Sequence, residues 1–349
     1  LNGYELANLY NLYAFIYYSQ ERYDDALKAY QMVVAQSPDI LEGMEYQTKF
    51  TIAQLFFVTE QWQKGINALQ DWMKTQQDPG ADIYALLGTG YYQLKDYNKS
   101  FSNMERAVSM TKAKGKVPKE QWYSLLRYLY YEKNQYDKVI DLLEEMLVYY
   151  PNKDYWVQLS HMYGEKKLDR KQLAAMETVY VQGELDKEKE LVQMAYLFLA
   201  NEVPYKAAKV LDKGIKEKKI EPTSRNLELL GNAWRASQEV KKSIPVMEEA
   251  ARKSDKGELW ARLGNIYLDN DEYKKAVEAV EAGLKKGGVR RPDTAHLVAG
   301  MAYFNLKQYE AARRAFAEAA KDKRSEGYAK QWMEFMKKEL ERQRSLQDA

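Results

Sequence analysis

His161 and His296 are the only two histidines in 349 residues, and there is no cysteine. Without thiolates there are no disulfides, no cysteine nucleophiles and no zinc–sulfur sites, and two imidazoles leave little for a transition-metal centre. Gly88-Thr-Gly90 has the look of a phosphate loop but lacks the third glycine. No P-loop, G-x-S-x-G, H-E-x-x-H or EF-hand pattern occurs. Asp and Glu are abundant but sit in alternating-charge stretches, where solvation is their role. The chain is therefore expected to have no catalytic residues, no metal and no cofactor: a protein that is not an enzyme. The one compact basic run is Lys285-Lys286-Gly287-Gly288-Val289-Arg290-Arg291. With a pI of about 8.2 and acidic residues interspersed throughout, nucleic acid is not an expected partner.

The elements that would position any functional group are helices. Proline is scarce (8) and tyrosine abundant (29), and proline inside a helix costs a hydrogen bond and a clash. A chain of this length exceeds what one compact core usually serves, so it divides into domains or forms an extended array. No apolar run approaches the ~20 residues that span a bilayer. The first residue is Leu, the expectation being a processed or trimmed chain whose signal peptide or lipid anchor would lie upstream. Charge is uneven. Residues 1–80 carry 5 Lys/Arg against 10 Asp/Glu, and residues 205–349 carry 31 against 23. Such a gradient either steers different partners to the two ends or reflects solvated helix faces.

A pattern recurs at 33- to 39-residue spacing. Trp260, Leu263, Gly264 and Tyr267 fall on one helix, and Ala276, Val280 and Gly283 on the next. Downstream it returns as His296, Ala299, Gly300, Tyr303, then Ala312, Phe316, Ala319. Upstream copies include Leu227, Leu230, Gly231, Trp234 with Ser243, Met247, Ala250, and Leu191, Met194, Ala195, Phe198 with Ala207, Leu211, Gly214. The first half repeats it at Tyr84-Leu87-Gly88-Tyr91, at Tyr10-Tyr13-Ala14-Tyr17, and more loosely from Lys49, Tyr123 and Trp156. Small residues let two helix backbones approach, and large ones interlock around them. Arg127 occupies a small-residue slot and Gly65 replaces an alanine, which predicts looser packing there. Asp169-Arg-Lys-Gln172 reads as a capping box that starts its helix late. Met110–Glu120 and Lys216–Ser224 read as polar inter-repeat loops rather than domain boundaries.

This pattern resembles the tetratricopeptide repeat, a 34-residue unit with a W-x2-L-G-x2-Y helix, an A-x3-F helix and a closing proline. The resemblance implies an all-α, right-handed superhelical solenoid of about nine helix-turn-helix repeats. They fall near 7–40, 46–79, 81–114, 120–153, 153–186, 188–221, 224–257, 257–290 and 293–322, an array over residues 1–322. Residues 325–344 would supply a solubilising cap, with Tyr328, Trp332, Phe335, Met336 and Leu340 as its apolar stripe.

The resemblance also implies a concave groove lined by first-helix side chains. Family positions mapped onto this chain place Phe15, Tyr18, Phe57, Tyr92, Tyr128 and Tyr131 inward in the first half. They place Arg225, Asn232, Arg235 and Asn265 inward in the second, with Arg262 beside them. The aromatic zone suits apolar anchors of a peptide or only fills space between helices. The Arg/Asn zone is similar to a partial carboxylate clamp, with Glu228 and Ala261 where that clamp has lysine. A protein or peptide is thus the expected groove partner. Stretches such as 84–108 and 152–165 are also similar to Gram-negative periplasmic tetratricopeptide proteins associated with TonB–ExbB–ExbD transport systems. That resemblance implies a periplasmic adaptor beside TonB/ExbB/ExbD-type envelope proteins. The alternatives are a cytosolic chaperone or assembly adaptor that binds C-terminal tails, and a regulatory arm of a larger enzyme.

Overall fold

The computed structural model describes residues 1–75 and 78–347. Residues 76–77, at the end of the expected 46–79 repeat, lie outside the described residues. Among the described residues every regular element is an α-helix, nineteen in all. The chain divides into two compact units. Unit 1 (Leu1–Lys167) holds α1 (Gly3–Ser19), α2 (Tyr23–Val34), α3 (Glu42–Val58), α4 (Trp62–Met73), α5 (Ala81–Gln93), α6 (Tyr97–Ala113), α7 (Glu120–Glu132), α8 (Tyr136–Tyr149) and α9 (Lys153–Glu165). Unit 2 (Leu168–Ala349) holds α10 (Asp169–Val181), α11 (Glu188–Ala200), α12 (Pro204–Lys216), α13 (Ser224–Ala236), α14 (Val240–Lys253), α15 (Glu258–Asp269), α16 (Tyr273–Lys286), α17 (Pro292–Asn305), α18 (Tyr309–Ala319) and α19 (Lys323–Gln347). Within each unit the helices pack as antiparallel hairpins, α1/α2 to α7/α8 and α11/α12 to α17/α18, and neighbouring hairpins stack.

Small residues set the hairpin spacing. A Cβ at Gly264 would lie 2.5 Å from Val280 Cγ2 and 3.1 Å from the Ala276 carbonyl oxygen. At Gly300 it would lie 2.5 Å from the Phe316 ring, and at Gly231 2.5 Å from Met247 Sδ. Where the second helix offers serine, its hydroxyl donates to the glycine carbonyl opposite: Ser100 to Gly88 at 2.8 Å, Ser243 to Gly231 at 2.7 Å. Both serines are fully buried, so this bond satisfies a group that burial would otherwise penalise.

The turns share a device that glycine counting does not reveal. Glu21, Glu60, Lys95, Asn134, Lys167, Glu202, Gln238, Asp271 and Lys307 all have φ between 56° and 65°. Each stands between a first and a second helix. In the neighbouring residue the N–H then closes back on the helix: Asp96 N to Tyr91 O at 2.9 Å, Glu272 N to Tyr267 O at 2.9 Å. This is a Schellman closure with a polar, unbranched residue in the left-handed position.

Neighbouring repeats are tied by tyrosine hydroxyls. In five repeats the tyrosine that closes the first helix bonds an acidic or amide side chain on the preceding second helix. Tyr130 bonds Glu105 at 2.9 Å, Tyr91 accepts from Gln70 at 2.9 Å, Tyr163 bonds Glu144, Tyr267 bonds Glu248, and Tyr303 bonds Glu281. Burial, then the adjacent carboxylate, raises the Tyr130, Tyr163, Tyr267 and Tyr303 hydroxyls above the ordinary tyrosine range, Tyr303 to about 12. They therefore stay protonated donors at any physiological pH.

Several expectations need correction. At Gly65 the space left by the missing side chain is taken by a ring: a Cβ there would meet Phe57 at 2.9 Å. At Arg127 the expected loosening holds, with α7 and α8 further apart than α5 and α6. The capping box is not formed. Asp169 is already the first helical residue, its cap is Leu168, and α10 starts at the usual offset. Helix α6 runs to Ala113 and absorbs the first residues of the 110–120 loop.

The terminal helix α19 packs on α17 and α18 and caps unit 2. Its inward stripe is Ser325, Ala329, Trp332, Met336 and Leu340. Tyr328 is 65% exposed and lies off that stripe, while Phe335 is half-exposed against Phe304. The reason is register: a step of four from Ser325 reaches Ala329, and Tyr328 falls one residue short of it. Buried Asp293 on α17 fixes the start of the cap. It accepts from Ser325 Oγ at 2.7 Å and pairs with Arg291 at 2.6 Å and Arg324 at 3.8 Å.

Two outcomes follow. Tyr267→Phe should lower stability by about 1 kcal/mol, the worth of one hydrogen bond to a part-exposed carboxylate, read as a fall in Tm with secondary structure unchanged. Asp293, hydrogen-bonded first by Arg291, has its carboxyl held well below the usual range. Its contribution is therefore complete above pH ~4 and declines as pH falls below that. Asp293→Ala should speed amide exchange along α19 at pH 7 by the equivalent of roughly 1–3 kcal/mol, with the difference from the parent chain shrinking in acid.

Candidate peptide-binding groove

In unit 1 the six aromatics expected to face the groove separate into two groups. Phe57 does not face it. The side chain is 6% exposed, and its ring occupies the space that Gly65 and Gly90 leave open, so it belongs to the core. Sequence spacing placed it inward, but two glycines on neighbouring helices draw it in. The others reach the surface: Phe15 is 64% exposed, and Tyr18 and Tyr131 are about half-exposed. Tyr18, Tyr92 and Tyr131 each rest one edge on the aromatic that opens the following helix, Tyr23, Tyr97 and Tyr136, at ring centroid distances of 5.5 to 5.8 Å. One face of each ring thus closes its hairpin and the other remains available. Tyr92 and Tyr128 meet edge to face at 5.6 Å, which makes a two-ring platform from successive first helices.

In unit 2 the structure brings four of the five polar residues together. Asn232, Arg235, Arg262 and Asn265 line one pocket of about 440 Å³, formed by α13, α15 and the start of α17. Arg225 is exposed about two turns earlier on α13 and does not line it. Three further residues complete the polar wall, Glu258, Arg291 and Thr294. Arg291 was visible only as part of the basic loop. Gly287 and Gly288, at φ 79° and 70°, turn that loop back, and Gly287 O accepts from Gly257 N at 2.7 Å. The loop thus delivers Arg291 to the pocket's edge.

The cations are not equivalent. Arg262 pairs with Glu228 at 2.6 Å and with Glu258 at 3.2 Å, so its charge is already balanced. Glu228 stands where a clamp lysine was expected, and here it neutralises the neighbouring arginine instead. Arg291 pairs with Asp293. Asn265 donates to Asp269 at 3.1 Å. Among the described residues, Arg235 carries no ion pair and the Asn232 amide no side-chain partner. An unpaired guanidinium beside a free amide can take a carboxylate and a peptide group together.

No group of three or more His, Asp or Glu side chains that could hold a metal occurs among the described residues. His296 is packed on α17, and burial pushes its imidazole below the ordinary range. His161 is exposed and lines a separate cavity on α9. No helix among the described residues is long and apolar enough to cross a membrane.

Two family models, both described as tetratricopeptide repeat, match the chain at residues 81–114 and 261–328. No curated protein matches the chain. Among solved structures it is similar to the Naa15/Naa10 complex bound to HypK-THB, at 13% identity and TM-score 0.51, over 96% of this chain and 51% of that one. A tetratricopeptide repeat protein from Parabacteroides merdae aligns at 10% identity and TM-score 0.43, over 72% of this chain and 94% of that one. The C-terminal part of a repeat-containing protein from Cytophaga hutchinsonii aligns at 14% identity and TM-score 0.40, over 81% and 99%. Residues 81–114 and 261–328 thus match tetratricopeptide repeats, and the same small-residue slots and stacked hairpins recur outside those segments.

Proposed function

We propose that the chain is a non-catalytic interaction scaffold whose unit 2 pocket holds an acidic polypeptide segment. Stacked helical repeats present extended concave binding surfaces rather than reaction centres. The observation that carries the reading is the charge state of the pocket. Arg262 and Arg291 are each neutralised by carboxylates of the protein, whereas Arg235 is not. A ligand carboxylate would meet Arg235, while Asn232 takes a neighbouring peptide group. Asn265, held by Asp269, shapes the floor. The polar groove suits a tail or loop with acidic character better than an apolar helix.

The resemblance to TonB-associated periplasmic proteins finds no support in the comparisons, and this reading does not depend on it. The pocket chemistry is the same in either compartment, and an adaptor that binds C-terminal tails would use it equally well.

The test is a set of fluorescein-labelled acidic peptides, each made with a free C-terminal carboxylate and as the amide, titrated against the full chain. Arg235→Ala should weaken binding of the free-acid form about tenfold, which is about 1.4 kcal/mol. Arg262→Ala should change it less than threefold, because its charge is already compensated. Equal losses for acid and amide would remove the carboxylate assignment, and no binding by any peptide would reject the scaffold reading for this pocket.

A further inference from the structure

A second polar site lies in unit 1, where Arg127 breaks the repeat. Its slot holds Ala14, Ala53, Gly88, Ser160, Ala195, Gly231, Gly264 and Gly300 in the other repeats. A guanidinium there is not needed for stacking and keeps α7 from closing on α8. The space it opens is a cavity of about 240 Å³ between α7, α8 and α9. That exceeds the roughly 150 Å³ that holds a benzene molecule. Val139, Leu143 and Met162 form its apolar wall, and Tyr128 and Tyr131 line it from α7.

The polar side of this cavity is unfinished. Arg127 Nε is buried with no hydrogen-bond partner, and so is Gln158 Oε1 on the facing helix. No carboxylate of the described protein pairs with Arg127. Burial lowers its pKa from the ordinary arginine value, in keeping with the buried Nε. Unpaired buried charges and amides are costly, and the protein provides neither with a bond. Nothing anchors either head group, so both can turn into the cavity. A carboxylate accepts side-on from Nε–H and one Nη–H of arginine, and a glutamine amide, whose two ends are interchangeable by rotation, can donate to the same group.

We propose that this cavity is a carboxylate-binding site, filled by an acidic side chain of a polypeptide whose neighbouring residues lie on the Tyr92–Tyr128 platform. The platform extends the contact surface beyond the cavity, more than a free small acid would use. For the carrier alone the proposal rests on the scaffold reading; the cavity and its chemistry stand apart from the unit 2 pocket.

The experiment follows the Arg127 Nε–H resonance of the full chain by NMR while propionate is added, with propionamide as the uncharged control. Propionate should shift the resonance saturably, and propionamide should bind at least tenfold more weakly. Arg127→Met, which keeps bulk without charge, should abolish propionate binding, read by calorimetry. Arg127→Ala should do the same while retaining or raising Tm, because it restores the residue type of the other repeats. No shift with propionate, or undiminished binding by Arg127→Met, would overturn the site. A large fall in Tm for both variants would instead make Arg127 a structural residue. A blocked peptide, N-acetyl-Tyr-Glu-Tyr-amide, tests the carrier. It should bind more tightly than propionate, and failure to bind while propionate still does would assign the cavity to free small acids.

Discussion

The close approach of paired helix backbones at small-residue slots is the constraint on which the structure depends. At Gly264 and Gly300 only a hydrogen fits against the facing helix. At Gly88 and Gly231 the approach is close enough for a serine on the second helix to reach the first helix's carbonyl. Once the backbones are this near, the large residues on either side must interdigitate, and their spacing along each helix is fixed. The tyrosine that ends the first helix then sits beside the previous second helix, where its hydroxyl finds a carboxylate. Hairpin closure and repeat stacking are thus two consequences of one distance.

The same economy separates structure from function. Residues at the slots are consumed by packing and cannot recognise anything else. The residues between them are under no such demand. In unit 2 they assemble a pocket in which two arginines are balanced by the protein and one is not. In unit 1 the exception is at a slot itself: Arg127 forgoes close packing and opens a cavity lined by unpaired polar atoms. A fold with few histidines, no thiols and no metal-ligand cluster among its described residues offers surfaces for recognition, in keeping with the repeats it contains.

Much of this was legible in the sequence because packing slots impose residue size at fixed spacing. Leu263, Gly264, Tyr267 and Ala276 announce their helices and their contacts. What could not be read there depends on three-dimensional partners. Phe57 has the spacing of a groove residue, yet Gly65 and Gly90 draw it into the core. Arg262 has the chemistry of a ligand residue, yet Glu228 and Glu258 hold it. The nine left-handed turn residues are Glu, Lys, Asn, Gln or Asp rather than glycine, so no local signal marks them beyond the absence of branching. Tyr328 has the aromatic character of the cap's stripe but not its register.

The most direct test of the account is a double-mutant cycle across the Gly264–Val280 hairpin contact. Helix propensity alone predicts that Gly264→Ala stabilises α15 by roughly 1 kcal/mol. The packing constraint predicts the reverse, a loss of about 1–3 kcal/mol from overpacking against Val280. Val280→Ala, destabilising by itself, should relieve that loss when combined with Gly264→Ala, with a coupling of at least ~1 kcal/mol by chemical denaturation. Additive effects in the cycle, or a rise in stability for Gly264→Ala alone, would contradict the claim that backbone approach at the small slots organises this protein.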